Sequence, residues 1–210
     1  RSFLSFCRKS HDRKTAEWSA MNIDGLTISR GGNLCVLDFG GEGGNRFSYK
    51  VLYGDAPEGA SEAPLLSSDA DAFHHSGAVK GPIVENCYFE GMPDDGIAIH
   101  GLYAFVLSAS ENEMIVCRLY ESQGAIREGF RVRSVDRNGS YTGESKVLSA
   151  ERLESYTPAK IPDNPAFAAS ATYWRIRTES PLPVSFGHML SSPDFSGSGF
   201  IVRNNVIQNT

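Results

Sequence analysis

What the sequence has little of narrows it first. Four cysteines, Cys7, Cys35, Cys87 and Cys117, are too few for a disulfide-built scaffold, and none forms a Cys-x-x-Cys pair. Buried free thiols are expected rather than a zinc site. No apolar stretch approaches the roughly 20 residues that cross a bilayer as a helix, and no basic start with an apolar run marks a leader peptide. A membrane is therefore not an expected partner. Positive charge is also short: 20 Lys and Arg against 25 Asp and Glu leave a net charge of -5, without the clustered basic footprint that tracks phosphates. This argues against a nucleic-acid partner. Helical patterning is scarce, with Phe3 to Lys9 the one candidate helix. The chain starts at Arg1 and ends at Thr210 inside a strand-like segment, so it reads as processed or trimmed from something longer.

What is present points to β structure. Twenty-one glycines and ten prolines among 40% hydrophobic residues suit an all-β protein with many tight turns. Three segments share one pattern: Asn22 to Ile28, Ile83 to Phe89 and Ile201 to Ile207. Each is a short strand, a bend carrying Gly25, Asn86 or Asn204, and a second short strand. Gly and Asn are the residues that tolerate left-handed backbone angles, so their recurrence at the bend predicts one geometry stacked on itself. Stacked rungs of this kind build a right-handed parallel β-helix; a β-sandwich with look-alike strands is the competing architecture.

From Leu102 the pattern changes. Tyr103–Leu107 and Met114–Cys117 flank a turn at Ser110–Glu113, and Phe130–Val135 precedes a turn at Arg137–Ser140. Asn138-Gly139-Ser140 also matches a glycosylation triplet, but Asn-Gly is a strong hairpin turn and is read as one. Pro158, Pro162 and Pro165 interrupt the chain before another strand, Thr172–Arg177. Reverse turns between alternating strands predict antiparallel pairing. The expected organisation is β-helix rungs over 1–101, an inserted small antiparallel β-barrel over 102–190, and a return to a rung over 191–210.

Two segments concentrate chemistry. Ser67 to Gly77 carries Asp71, His74 and His75, and Gly91 to Gly101 carries Asp94, Asp95 and His100. Asp71 and Asp94 are one rung's worth of chain apart. If they are equivalent on successive rungs, the strand spacing of about 4.8 Å brings their carboxylates together on one face. Paired carboxyl groups are what glycoside cleavage requires, about 5 Å apart for direct attack and roughly 6.5–9.5 Å apart when a water is activated between them. An isolated Asp-Asp-Gly is usually only a turn. Here the apolar strand Ile97-Ala98-Ile99 follows it and histidines flank both segments, which favours a site. The three histidines with the aspartates would also suit a metal, but hydrogen bonding is the commoner role, and no metal is assigned.

At these segments the sequence resembles the β-helix glycosidases, and most closely the α-1,3-galactosidases of glycoside hydrolase family 110. The residues that carry the resemblance are Ala70-Asp71-Ala72-Phe73-His74, Val84 to Met92, and Asp94-Asp95-Gly96-Ile97-Ala98-Ile99-His100-Gly101-Leu102-Tyr103. The family also inserts an antiparallel barrel after its His-Gly-x-Tyr stretch. The resemblance implies exo-acting hydrolysis with inversion and places catalytic carboxylates at Asp71, Asp94 and Asp95. It further implies a partner acid, for which Glu128 is the candidate and Glu121 the alternative. Substrate-binding roles fall to His74, His75, His100 and Tyr103. Ala98 stands where the family usually has Asn, which alters the sugar hydroxyls that can be held there.

The expected function is thus a carbohydrate-active β-helix protein, an inverting exo-glycoside hydrolase of α-galactosidase type acting on an oligo- or polysaccharide, without a cofactor. The expected location is secreted or extracytoplasmic. Trp18, Trp174 and Tyr103 offer stacking faces for a sugar, although core packing is the simpler role for each. Two rivals remain: a polysaccharide lyase or epimerase, disfavoured because few cations lie near the acids, and a non-catalytic glycan-binding or structural β-helix. Oligomeric state is not legible from the sequence.

Overall fold

A computed structural model describes residues 4–7, 20–118, 126–160 and 171–210. The Glu121 alternative, Trp18, Pro162 and Pro165 lie outside the described residues. Among the described residues there is no α-helix, only a short 3-10 turn at Pro193–Phe195, and no helix long and apolar enough to cross a membrane. The helix expected at Phe3 to Lys9 is a correction: Leu4–Cys7 is a strand, because each of its residues pairs with one of Val36–Phe39. Non-local pairing overrides a short local pattern.

The chain divides into two compact units, Arg1–His100 with Gly197–Thr210, and Gly101–Ser196. In the first unit all strand pairing is parallel. One sheet stacks β1 (Leu4–Cys7), β3 (Val36–Phe39), β5 (Phe73–Ser76) and β8 (Ile97–His100) in that order. The other is built from β2 (Asn22–Ser29), β4 (Arg46–Leu52), β6 (Ile83–Glu85), β7 (Tyr88–Glu90), β15 (Ile201–Arg203) and β16 (Val206–Gln208). The chain returns in register from Val36 to Phe73 and from Arg46 to Ile83, so each visit to one sheet alternates with a visit to the other. This arrangement is compatible with a β-helix.

The repeated segments stack as read from the sequence. Ile201 pairs with Ile83 and Val206 with Tyr88, while β4 lies between β2 and the β6 and β7 pair. The bend residues have left-handed backbones: φ is 73° at Gly25, 55° at Asn86 and 55° at Asn204. Strand β4 crosses the same level without a bend, and Gly25 is accommodated opposite it as a bulge. Asn205 adds a polar tie beneath the bend, accepting from the Cys87 N–H and donating to the Val84 carbonyl, each at 2.9 Å.

Phe47, Tyr49, Phe73 and Phe89 are fully buried in the core of this unit, packed with Ile28, Val36, Val51, Val84 and Met92. The rings of Phe47 and Phe73 meet at 4.8 Å and those of Tyr49 and Phe89 at 4.9 Å, both tilted, the geometry that the ring quadrupoles favour. The Tyr49 hydroxyl donates to the Ala72 carbonyl at 2.7 Å, which anchors the backbone beside Asp71 to the aromatic core.

In the second unit six strands pair antiparallel: β9 (Tyr103–Ser110), β10 (Glu113–Arg118), β11 (Arg131–Val135), β12 (Tyr141–Arg152), β13 (Thr172–Thr178) and β14 (Met189–Ser191). They close on themselves in the order β10-β13-β12-β11-β14-β9. Alternate residues Ala104, Val106, Met114, Val116, Val132, Val147, Ile176 and Leu190 fill the interior. Gly139, at φ 85°, closes the Asn138-Gly139 turn, and Asp136 Oδ1 accepts from the Asn138 and Ser140 N–H groups at 2.8 Å.

Candidate active site

The acids sit where β5 and β8 begin. The register pairs Phe73 with Ile97, and the Ala72 N–H donates to the Asp95 carbonyl at 3.1 Å. Continued back along the chain, that register sets Asp71 level with Asp95, and Asp94 one residue before it.

Glycines shape the second segment. Gly91 has φ 73° and Tyr53 packs where its Cβ would be, while a Cβ on Gly96 would stand 2.5 Å from Ile207. Between them Met92 is buried and Pro93, Asp94 and Asp95 are exposed. The Asp94 carboxylate accepts the Asp95 N–H at 3.0 Å, fixing the pair locally. Asp71, by contrast, is 4% exposed. One carboxylate oxygen each from Asp71, Asp94 and Asp95 lies within 4.8 Å of the other two. One buried and two exposed acids therefore converge. Three oxygens this close offer the donor set a cation takes as readily as the proton chemistry of a carboxyl cluster.

The histidines separate. His74 Nδ1 is 2.6 Å from Asp71 Oδ2, and His74 Nε2 is 3.0 Å from His100 Nε2. His75 points to the opposite face of the strand, as side-chain alternation requires, and is fully buried. Its Nδ1 lies 2.9 Å from Asp38 Oδ2; Asp38 also accepts from Asn45, and Asn45 accepts the Met21 N–H. His75 thus belongs to a buried network that holds neighbouring turns together. Nothing in local sequence marked Asp38 or Asn45 as its partners, since both are distant in the chain.

Tyr103 and Glu128 belong to the second unit. Tyr103 is exposed at the start of β9, and Glu128 is exposed in the turn before β11, where the Phe130 N–H donates to the Arg127 carbonyl. Ala98 is half-buried at the register position beside His74. Sequence reading also missed Glu85, which is buried on the other sheet and gripped by Arg46 and Arg203.

The cysteine expectation holds for the described residues: Cys35, Cys87 and Cys117 are buried free thiols. Burial pushes the Cys87 and Cys117 thiols up to about 11. Cys35 is raised as well, chiefly by burial, with the Asp71 charge adding to it.

The alpha-1,3-galactosidase B of Akkermansia muciniphila is 29% identical over 146 residues, 68% of this chain and 17% of that protein. The alpha-1,3-galactosidase B of Parabacteroides distasonis is 28% identical over 148 residues, 70% of this chain and 22% of that protein. The chain is related to α-1,3-galactosidases over part of its length. It spans about a fifth of the relatives it matches. No protein-family model matches it.

Proposed function

We propose that this chain carries the acidic centre of an inverting exo-glycoside hydrolase acting on terminal α-linked galactose, on a right-handed parallel β-helix interrupted by an inserted antiparallel barrel. The observation that carries the proposal is the meeting of Asp71, Asp94 and Asp95 within 4.8 Å at the starts of adjacent strands. The similarity to two alpha-1,3-galactosidases supports this choice of sugar and linkage class.

The mechanism follows from carboxyl chemistry. One carboxylate takes a proton from water as its oxygen bonds to the anomeric carbon; a carboxylic acid gives a proton to the departing glycosidic oxygen as that bond breaks. The spacing inside the trio is closer to the roughly 5 Å of direct attack than to the roughly 6.5–9.5 Å of water activation. Inversion therefore needs the trio to act together on one side of the sugar, with the opposed acid from outside it. One acid of the trio then activates water and the other two hold hydroxyls.

The test is turnover of aryl α-galactosides and α-1,3-linked digalactosides, with the first-formed anomer followed by proton NMR. We expect β-galactose first, and loss of about 10³-fold or more in kcat for D94N or D95N, since each would remove a group used in the transition state. First appearance of α-galactose would refute inversion. Glycan binding without turnover by the native protein would refute the enzyme reading, and full activity in both variants would refute the site.

A further inference from the structure

His74 Nδ1 meets Asp71 Oδ2 at 2.6 Å, and His74 Nε2 meets His100 Nε2 at 3.0 Å, so the buried acid ends a chain of three side chains. His74 lies on β5 and His100 on β8, where His100 is the register partner of Ser76. Their rings meet nearly edge-on, with centroids 4.9 Å apart and planes at 81°. The register partners of His74 itself are Leu37 and Ala98, neither of which titrates. Among the described residues, Asp94 and Asp95 each bring a carboxylate oxygen within 4.8 Å of one on Asp71.

Proton counting fixes the arrangement. When the Asp71 carboxylate is ionised it has no proton to give, and the 2.6 Å bond then places hydrogen on His74 Nδ1. Two ring nitrogens 3.0 Å apart hold a single proton between them. In the uncharged pair, His100 Nε2–H donates to His74 Nε2. Both nitrogens of His74 are then used, its ring cannot turn, and Asp71 Oδ2 is tied down while Oδ1 stays available.

We propose that His100 is a positioning residue: acting through His74, it locks the orientation of the Asp71 carboxylate. The inference rests on the hydrolase reading above for its catalytic consequence, but not for its geometry. His100 is exposed while Asp71 is buried, so the lock reaches from the surface inward.

Two variants of the full chain separate positioning from sugar binding. H100L removes the donor; H100Q keeps an N–H that can reach the same His74 nitrogen. With an aryl α-galactoside, H100L is expected to lower kcat about 10- to 100-fold, the scale for a misplaced catalytic group, with KM changed less than about threefold. H100Q should recover at least about tenfold when the loss is at the upper end of that range. A rise in KM with kcat unchanged, or equal defects in H100L and H100Q, would overturn the proposal. A second readout needs no activity: the downfield proton resonance of the His74 Nδ1–H bound to Asp71, identified by its loss in H74F. The resonance should stay sharp in the native protein and H100Q but broaden or vanish in H100L. If it persists unchanged in H100L, positioning fails. If no form turns over any glycoside, the hydrolase reading fails while the resonance still decides the lock.

Discussion

Arg203 Nε donates to Glu85 Oε2 at 2.6 Å from the adjoining strand, and Arg46, on β4, grips the other oxygen of the same carboxylate. One acid thus ties three levels of a parallel stack. The Arg203 hydrogen bond, then that of Arg46, holds the Glu85 carboxyl below its ordinary 4.5. A carboxyl depressed in the folded state stabilises above its unfolded pKa, and that contribution is lost as pH falls through the lowered value. Thermal midpoints should therefore drop on acidification below about pH 4.5. E85Q should melt lower than the native protein near neutrality, with the gap narrowing in acid. Parallel curves at every pH would remove Glu85 from the account.

The Tyr49 hydroxyl bond to the Ala72 carbonyl gives a second prediction, linking core to site. Y49F keeps the ring against Phe89 but deletes the donor. The Ala72 carbonyl still receives the Val36 N–H at 3.2 Å, so no acceptor is orphaned. The expected cost is about 0.5–1.5 kcal/mol by urea titration, the usual worth of one such bond. A loss above about 3 kcal/mol would mean that the hydroxyl holds more than this one carbonyl.

The bends offer a third. Asn86 sits at φ 55°, which glycine adopts freely and β-branched residues resist. N86G should be nearly neutral, whereas N86V should cost about 1–2 kcal/mol by the same titration. Equal stability of the two variants would show that the bend relaxes to another conformation.

The thiols supply the fourth. Because burial raises the Cys87 and Cys117 thiols to about 11, they should resist a thiol-reactive disulfide reagent at pH 8 and react on unfolding. The readout is peptide-resolved labelling in buffer and in guanidinium. Rapid labelling of either residue in the folded protein would contradict its burial.

Much of this molecule was legible before its structure. The left-handed bends at Gly25, Asn86 and Asn204 announced stacked turns, because few residues accept those angles and their recurrence is local information. Alternating apolar residues flanked by reverse turns marked hairpins such as β9 with β10. Leu4–Cys7 was misread because four residues carry too little periodicity to separate helix from strand, and pairing with Val36–Phe39 decided it.

The candidate site was legible in its residue types more than in its arrangement. Asp71, Asp94 and Asp95 stand out as residue types in two polar segments, but which aspartate lies level with which depends on a register fixed elsewhere, at Phe73 and Ile97. His74 and His75 are neighbours in sequence with opposite fates: one faces the acid, the other joins Asp38 and Asn45 inside the core.

By itself, then, the sequence determined the β character, the bend geometry and the acidic chemistry on offer, since all three follow from individual side chains and short-range backbone sterics. The tertiary structure alone decided that one acid is buried and two are exposed within 4.8 Å, and that His100 reaches Asp71 through His74. Those relationships come from parallel pairing between strands far apart in the chain, where moving the register by one residue exchanges the face on which every side chain lies.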